Sequence, residues 1–245
     1  MARRCIFDGG TPLTTEHVIP LWVHGYLPGQ GDLRYERVGS RQGWTSDALA
    51  VTLRRVCARC NGGWMSRLEG RAKPLLVDVI QDRPRVWTPR EQRTVATWAF
   101  KTAILGGLAT GQAHVPEAHF RHLARNLHPP GRVTIWTTVH LPGPSETDFQ
   151  VAHFDARGLL FEGGSFGKGF HGYTLTVNVG HFAFQVLGHE SREHLDLNSP
   201  VIQGIPPSGY EIRIWPVQGR SVSWPPKRGF DRSGLAFYSA RWLSQ

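Results

Sequence analysis

VCARCNGGWMSRLE at residues 56–69, read with TTEHVIPLW at residues 14–22, decides how the rest of the chain is understood. Of three cysteines in 245 residues, Cys57 and Cys60 stand in a C-x-x-C directly before Asn61, and Cys5 opens CIFDGG near the N-terminus. An odd cysteine count with no export signal argues against a disulfide scaffold, because thiols stay reduced in the cytoplasm, the compartment this reading expects. Reduced cysteines grouped in a pattern point instead to a metal.

The local structure around the pair follows from propensity and spacing. ALAVTLRRV (48–56) reads as a short strand, and from Asn61 the spacing of Trp64, Leu68 and Ala72 fits a helix of about three turns that Pro74 should end or kink. A strand leading through the C-x-x-C into a helix is the expected unit. DGGTP (8–12) and LPGQGD (27–32) are turn signals, so this part should be compact and turn-rich.

Taken together, TTEHVIPLW and VCARCNGGWMSRLE resemble the HNH endonuclease superfamily over about residues 1–75. The chain resembles in particular the members that read C-x-x-C, then E-H-[VI]-x-P, then C-x-x-C-N-x-G-W-M-S-x-L-E. The resemblance implies a ββα-metal fold joining an acid–His pair on one strand to an asparagine entering a helix. It also implies a metal-dependent endonuclease that hydrolyses DNA phosphodiester bonds. Such chemistry needs a water deprotonated near neutral pH, a cation over the non-bridging oxygens and relief of charge on the leaving oxygen. By the resemblance, His17 is the general base, Glu16 holds a hydrated Mg²⁺ or Mn²⁺, and Asn61 supplies the second protein oxygen ligand. On a regular strand Glu16 and His17 point to opposite sides, so one site uses both only with a local bend. The family's middle asparagine falls on Thr52, a departure from the pattern.

A structural Zn²⁺ follows from the same resemblance, with Cys5, Cys57 and Cys60 as thiolates and Asp8 where the first pair usually has its second cysteine. Three thiolates with a carboxylate are feasible but less usual than four. His24 is an alternative fourth ligand, and an empty finger is the third option. Zinc would clamp the strand and helix start so that Asn61 faces Glu16. Trp64 and Leu68 should pack beneath it, while Glu69 either reaches the metal, binds Arg55 or, the preferred role, serves the structure.

The formal net charge is +9 and the isoelectric point about 10.1, with lysine only at Lys73, Lys101, Lys168 and Lys227. Arginine suits bidentate phosphate contacts. Arg54, Arg55, Arg59, Arg67, Arg71 and Lys73 flank the motif and are the expected contacts to nucleic acid, with Tyr26 and Trp44 as substrate-facing aromatics. Cutting both strands needs either a homodimer or successive nicks.

The fold class expected is α+β: an N-terminal unit at residues 1–84, then helices and a mainly antiparallel sheet at 85–245. TPRE (88–91) offers a capping box for a helix with Val95, Trp98, Thr102 and Leu105 on one face, and PEAHFRHLARNL (116–127) a second helix. Beyond them RVTIWTTVHL, DFQVAHFDA, GYTLTVNVG, HFAFQVLG and YEIRIWPV alternate as strands. His119 and His122 read as surface histidines more than a metal pair, and Trp136, His153 and Trp215 as core more than a binding face. No stretch reads as a signal peptide or membrane span. Two further functions stay open: a zinc-stabilised nucleic-acid-binding module with a decayed site, motivated by Thr52 and Asp8, and an HNH-fold metalloenzyme with a non-nucleic substrate.

Overall fold

The computed structural model describes residues 3–27, 33–35, 44–46, 51–111, 113–141, 152–161, 170–190 and 209–240, with 33–35, 44–46, 152–161 and 170–171 as backbone alone. The side chains of Trp44 and His153 therefore lie outside the described residues. Strand β1 (Leu13–His17) leads into a 3₁₀ turn at Leu21–Tyr26, followed by the short paired strands β2 (Leu33–Tyr35) and β3 (Trp44–Ser46). Strand β4 (Thr52–Cys57) returns antiparallel to β1 and runs into the single helical turn α1 (Ala58–Cys60). A π-type turn at Asn61–Met65 contains a kink at Gly63, whose ψ of −107° is not helical, and opens into helix α2 (Ser66–Ile80).

Of the two outcomes expected at Pro74, an end or a kink, the end does not occur: α2 runs on to Ile80. A proline inside a helix costs about 3 kcal/mol. Against that, Leu75, Leu76, Val79 and Ile80 beyond it are all buried, and each buried aliphatic side chain contributes roughly 1.5–3 kcal/mol. Burial outweighs the local penalty.

Strand β5 (Arg85–Trp87) precedes helix α3 (Pro89–Thr110), which begins at the expected capping box. The Glu91 N–H donates to Thr88 Oγ1 at 3.3 Å, and the Thr88 N–H donates to the Glu91 carboxylate at 2.8 Å. A one-sided helix was expected here, yet every residue from Val95 to Gly107 is buried. The reason is position: α3 packs on α2 and also on the main sheet. A helix covered on all sides cannot keep a polar face except where a polar group finds a buried partner.

Helix α4 (Glu117–Asn126) follows, then strands β6 (Val133–Val139), β7 (Ala152–Phe161), β8 (Phe170–Val179), β9 (Phe182–His189) and β10 (Ile212–Trp215). They form one antiparallel sheet in the order β10-β6-β9-β8-β7. Strand β11 (Val222–Trp224) pairs with β5, and helix α5 (Arg232–Ala240), not expected from sequence, ends the described chain. The architecture is a mixed α+β one. One buried apolar cluster includes Cys5, Val56, Leu68, Trp98, Phe184 and Trp224, and so runs across position 84. Among the described residues no helix is long and apolar enough to cross a membrane.

His119 lies inside this core rather than on the surface. Its Nδ1 is 2.7 Å from the Tyr173 hydroxyl, and Gly188 opposite Tyr173 leaves room for that ring, since a Cβ there would meet it at 2.3 Å. Burial, with weaker repulsion from His189, His122 and Arg132, pushes the His119 pKa down to about 4. The folded chain thus holds His119 neutral while the unfolded chain protonates it near pH 6.5. Its contribution to stability is complete above pH 6.5 and is lost as pH falls toward 4, about 3 kcal/mol in all. Urea unfolding of wild type and His119→Gln between pH 7 and 4 is expected to show that much steeper loss in wild type.

Candidate metal centre and acid–histidine hairpin

The ligand atoms of Cys5, Asp8, Cys57 and Cys60 all lie within 4.8 Å of one another, as the pattern of the sequence anticipated. Asp8, not His24, is the fourth member. Local structure explains the convergence: Gly9, at φ +74°, turns the chain through the left-handed region, so the Gly9 N–H donates to Cys5 O at 2.8 Å and the Cys5 N–H to Gly10 O at 3.1 Å. The Gly10 N–H then donates to Asp8 Oδ1 at 2.8 Å. Asp8 Oδ2 is 3.2 Å from Cys60 Sγ, and Asp8 Oδ1 is 3.4 Å from Cys57 Sγ. For Zn–S near 2.3 Å and Zn–O near 2.0 Å a tetrahedral S···O edge is about 3.5 Å, so the spacing suits a zinc-sized tetrahedral ion.

The electrostatics agree with a group waiting for a cation. Burial, with the Asp8 carboxylate beside it, pushes the Cys60 thiol far up, and burial also raises Cys5. Although burial works against it, Asp8 is held well below the usual carboxylate range by Arg59, whose Nη2 donates at 2.8 Å, and by the Gly10 N–H. Three thiolates and a carboxylate around one divalent ion leave an excess of negative charge, which Arg59 partly offsets. Beneath the cluster Trp64 and Leu68 are buried as expected, with the Phe7 ring edge-on to Trp64 at 5.2 Å.

The hairpin β1–β4 carries the other motif residues. Its pairing shifts between Thr14 and Glu16: Thr14 faces Val56, Glu16 faces Leu53 and His17 faces Thr52, so Arg54 and Arg55 together oppose Thr15. The extra residue is on β4, so this β-bulge bends β4 ahead of Glu16, whereas Glu16 and His17 pair in regular register and point to opposite faces of β1; the bend expected between them is not there. Asn61 is tied to the same strand, its Nδ2 donating to Thr14 Oγ1 at 3.1 Å, while Thr14 Oγ1 donates to Val56 O at 3.1 Å. Among the described residues no hydrogen bond or ion pair joins Glu16, His17 and Asn61 directly to one another. His17 is half-buried at the strand end, near enough to His24 that repulsion between them adds to burial in lowering the His24 pKa.

Glu16 turns inward, 9 % exposed, toward a group that sequence reasoning missed. The Lys101 ammonium, from α3 and fully buried, donates to Glu69 Oε1 at 2.6 Å and stands 4.0 Å from Glu16 Oε1. Glu69 Oε2 accepts the indole N–H groups of Trp22 and Trp98 at 2.8 and 3.0 Å. Glu69 thus serves the structure, through Lys101 and the two indoles and not through Arg55. Burial raises the Glu16 pKa, Lys101 opposes the rise, and Glu69 adds to it. One signal was present in the sequence: a lysine amid the apolar run of α3 must find a carboxylate.

Removing that cation alone should be costly. Lys101→Met leaves two buried or half-buried carboxylates without their counter-charge, and breaking a buried pair this way costs about 3–5 kcal/mol. Urea unfolding should report that loss, with the double change Lys101→Met/Glu69→Gln recovering part of it.

Of the expected phosphate contacts, Arg54, Arg67 and Arg71 are exposed and Arg55 is half-buried. The Arg59 side chain, 82 % exposed, is committed to Asp8. Lys73 lies over the Trp22 and Tyr26 rings, 6.0 and 5.5 Å from their centroids, so Tyr26 is engaged within the fold. No family model, no curated protein and no solved structure matches the chain.

Proposed function

We propose that the chain is a metal-dependent endonuclease of the HNH type that hydrolyses DNA phosphodiester bonds. The observation that carries this reading is the hairpin: Glu16 and His17 lie on one strand, two and three residues beyond the Thr14 hydroxyl that holds Asn61 at the start of the helical segment. The cysteine cluster next to Asn61 anchors the same junction, with zinc in a structural role.

Magnesium or manganese suits the donor set. Glu16 offers a carboxylate, and Asn61, with its N–H end engaged by Thr14, offers its carbonyl oxygen. Glu16 and Glu69 carry two negative charges against the single positive charge of Lys101, which leaves a net charge that favours a cation. When bound, the ion supplies a Lewis acid over the phosphate oxygens. His17 accepts the proton of the attacking water. Burial and repulsion from His17 lower the pKa of the neighbouring His24, which makes it a weaker proton acceptor than an ordinary imidazole. Thr52, directly across from His17, stands where the family's orienting asparagine is expected.

One observation favours a second reading. Lys101 already brings positive charge to within 4.0 Å of Glu16, which fits a chain that binds nucleic acid without cutting it. Incubation of supercoiled plasmid with Mg²⁺ or Mn²⁺, using wild type and His17→Ala, separates the two. Nicked or linear product from wild type alone supports the nuclease. Retained DNA binding with no product under either metal overturns it in favour of the binding module.

A further inference from the structure

A groove of about 750 Å³ lies between the cysteine cluster and α4, on surface that the acid–histidine hairpin does not line. Four arginines face it: Arg59 from α1, Arg67 from α2, and Arg121 and Arg125 from α4. The last two are one helical turn apart and so share a face. Asp8 is the acidic residue in its wall, and it is already engaged by Arg59. Arg121 pairs with Glu117 along α4. Arg67 and Arg125 are exposed, and among the described residues neither has a carboxylate partner. Exposed guanidinium groups converging from two helices without counter-charges hold a local excess of positive potential.

We propose that this groove seats the sugar-phosphate backbone of duplex DNA, with Arg67 and Arg125 as its phosphate contacts. The inference rests on the nucleic-acid partner of the preceding reading, but not on cleavage. Arginine presents a planar fork that matches phosphate oxygens in pairs, and the groove's size suits a run of backbone better than one small anion. The aromatic walls, Phe7 at 2 % and Trp64 at 9 % exposure, are too covered to stack on bases. Binding here is therefore to the backbone and indifferent to sequence.

Fluorescence anisotropy of a labelled duplex, without added magnesium or manganese so that cutting does not intrude, tests the assignment. Each phosphate contact adds a slope of roughly −0.9 to log affinity against log salt. Arg67→Gln/Arg125→Gln should flatten that slope by about 1.8 and weaken binding roughly 10- to 50-fold at 0.1 M salt, equally for two unrelated sequences. Arg90→Gln/Arg220→Gln, exposed but outside the groove, should change little. Metal content and melting midpoint matching wild type confirm that the double variant is folded.

Unchanged affinity and slope in the groove variant overturn the proposal, even where plasmid cleavage persists and the nuclease reading survives. Weakened binding with no cleavage by any protein upholds the groove and sinks the nuclease. Displacement of the duplex by inorganic phosphate or ATP at concentrations near its own affinity identifies a small-anion site and overturns the backbone assignment.

Discussion

Cys57→Ser is expected to strip the cluster of its metal and lower the melting midpoint by roughly 10–20 °C, a loss of at least about 4 kcal/mol in a chain of this size. Cys57 is 1 % exposed and ends β4, directly before the turn that carries Cys60 and Asn61. A serine hydroxyl is a poor zinc ligand, and the remaining thiols are ones that burial drives toward the neutral form. Without the ion only weak thiol hydrogen bonds to Asp8 and the exposed Arg59 pair hold these groups together. Wild type treated with a strong chelator should melt like the variant, and the variant should be insensitive to chelator. Purified wild type that contains no zinc, with an unchanged midpoint in the variant, would refute a metal-held junction.

His17→Ala is expected to cut the rate of plasmid cleavage by ~10²–10⁴-fold, the range for loss of a positioned general base. The ring is half-buried at the strand end, so truncation opens a small void without disturbing the bulge. DNA affinity and zinc content should therefore stay near wild type while turnover falls. Added imidazole should restore part of the rate by occupying the vacated space. A variant that cuts as fast as wild type would assign the proton to another group, and His24 is the imidazole at hand.

The cysteine turn was legible from the family resemblance, which set Asp8 beside the cysteines, and from the local turn signal of DGGTP. C-x-x-D-G-G demands a left-handed residue at Gly9 and a close approach at Gly10, where a Cβ would sit 3.0 Å from Asp8 Oδ1. The capping box at Thr88 was legible for the same local reason. The bulge was not, since Arg54 and Arg55 look like any two residues of an alternating strand. Neither was the course of α2 past Pro74, where the local rule for proline yields to burial supplied by distant elements. His119 read as a surface histidine because its partner, Tyr173, comes from a strand far along the chain. Lys101 reaches Glu16 for the same reason, and local patterning carries no record of such pairings.

Because the ammonium beside Glu16 and Glu69 arrives on a helix that starts at Pro89, the motif at the front of the chain is chemically incomplete by itself. A recombination event that moved only the hairpin and its cysteines onto another carrier would leave two carboxylates in search of a counter-ion. The two segments therefore form one electrostatic unit, and a change at Lys101 should cost stability as a change at the acids it neutralises does.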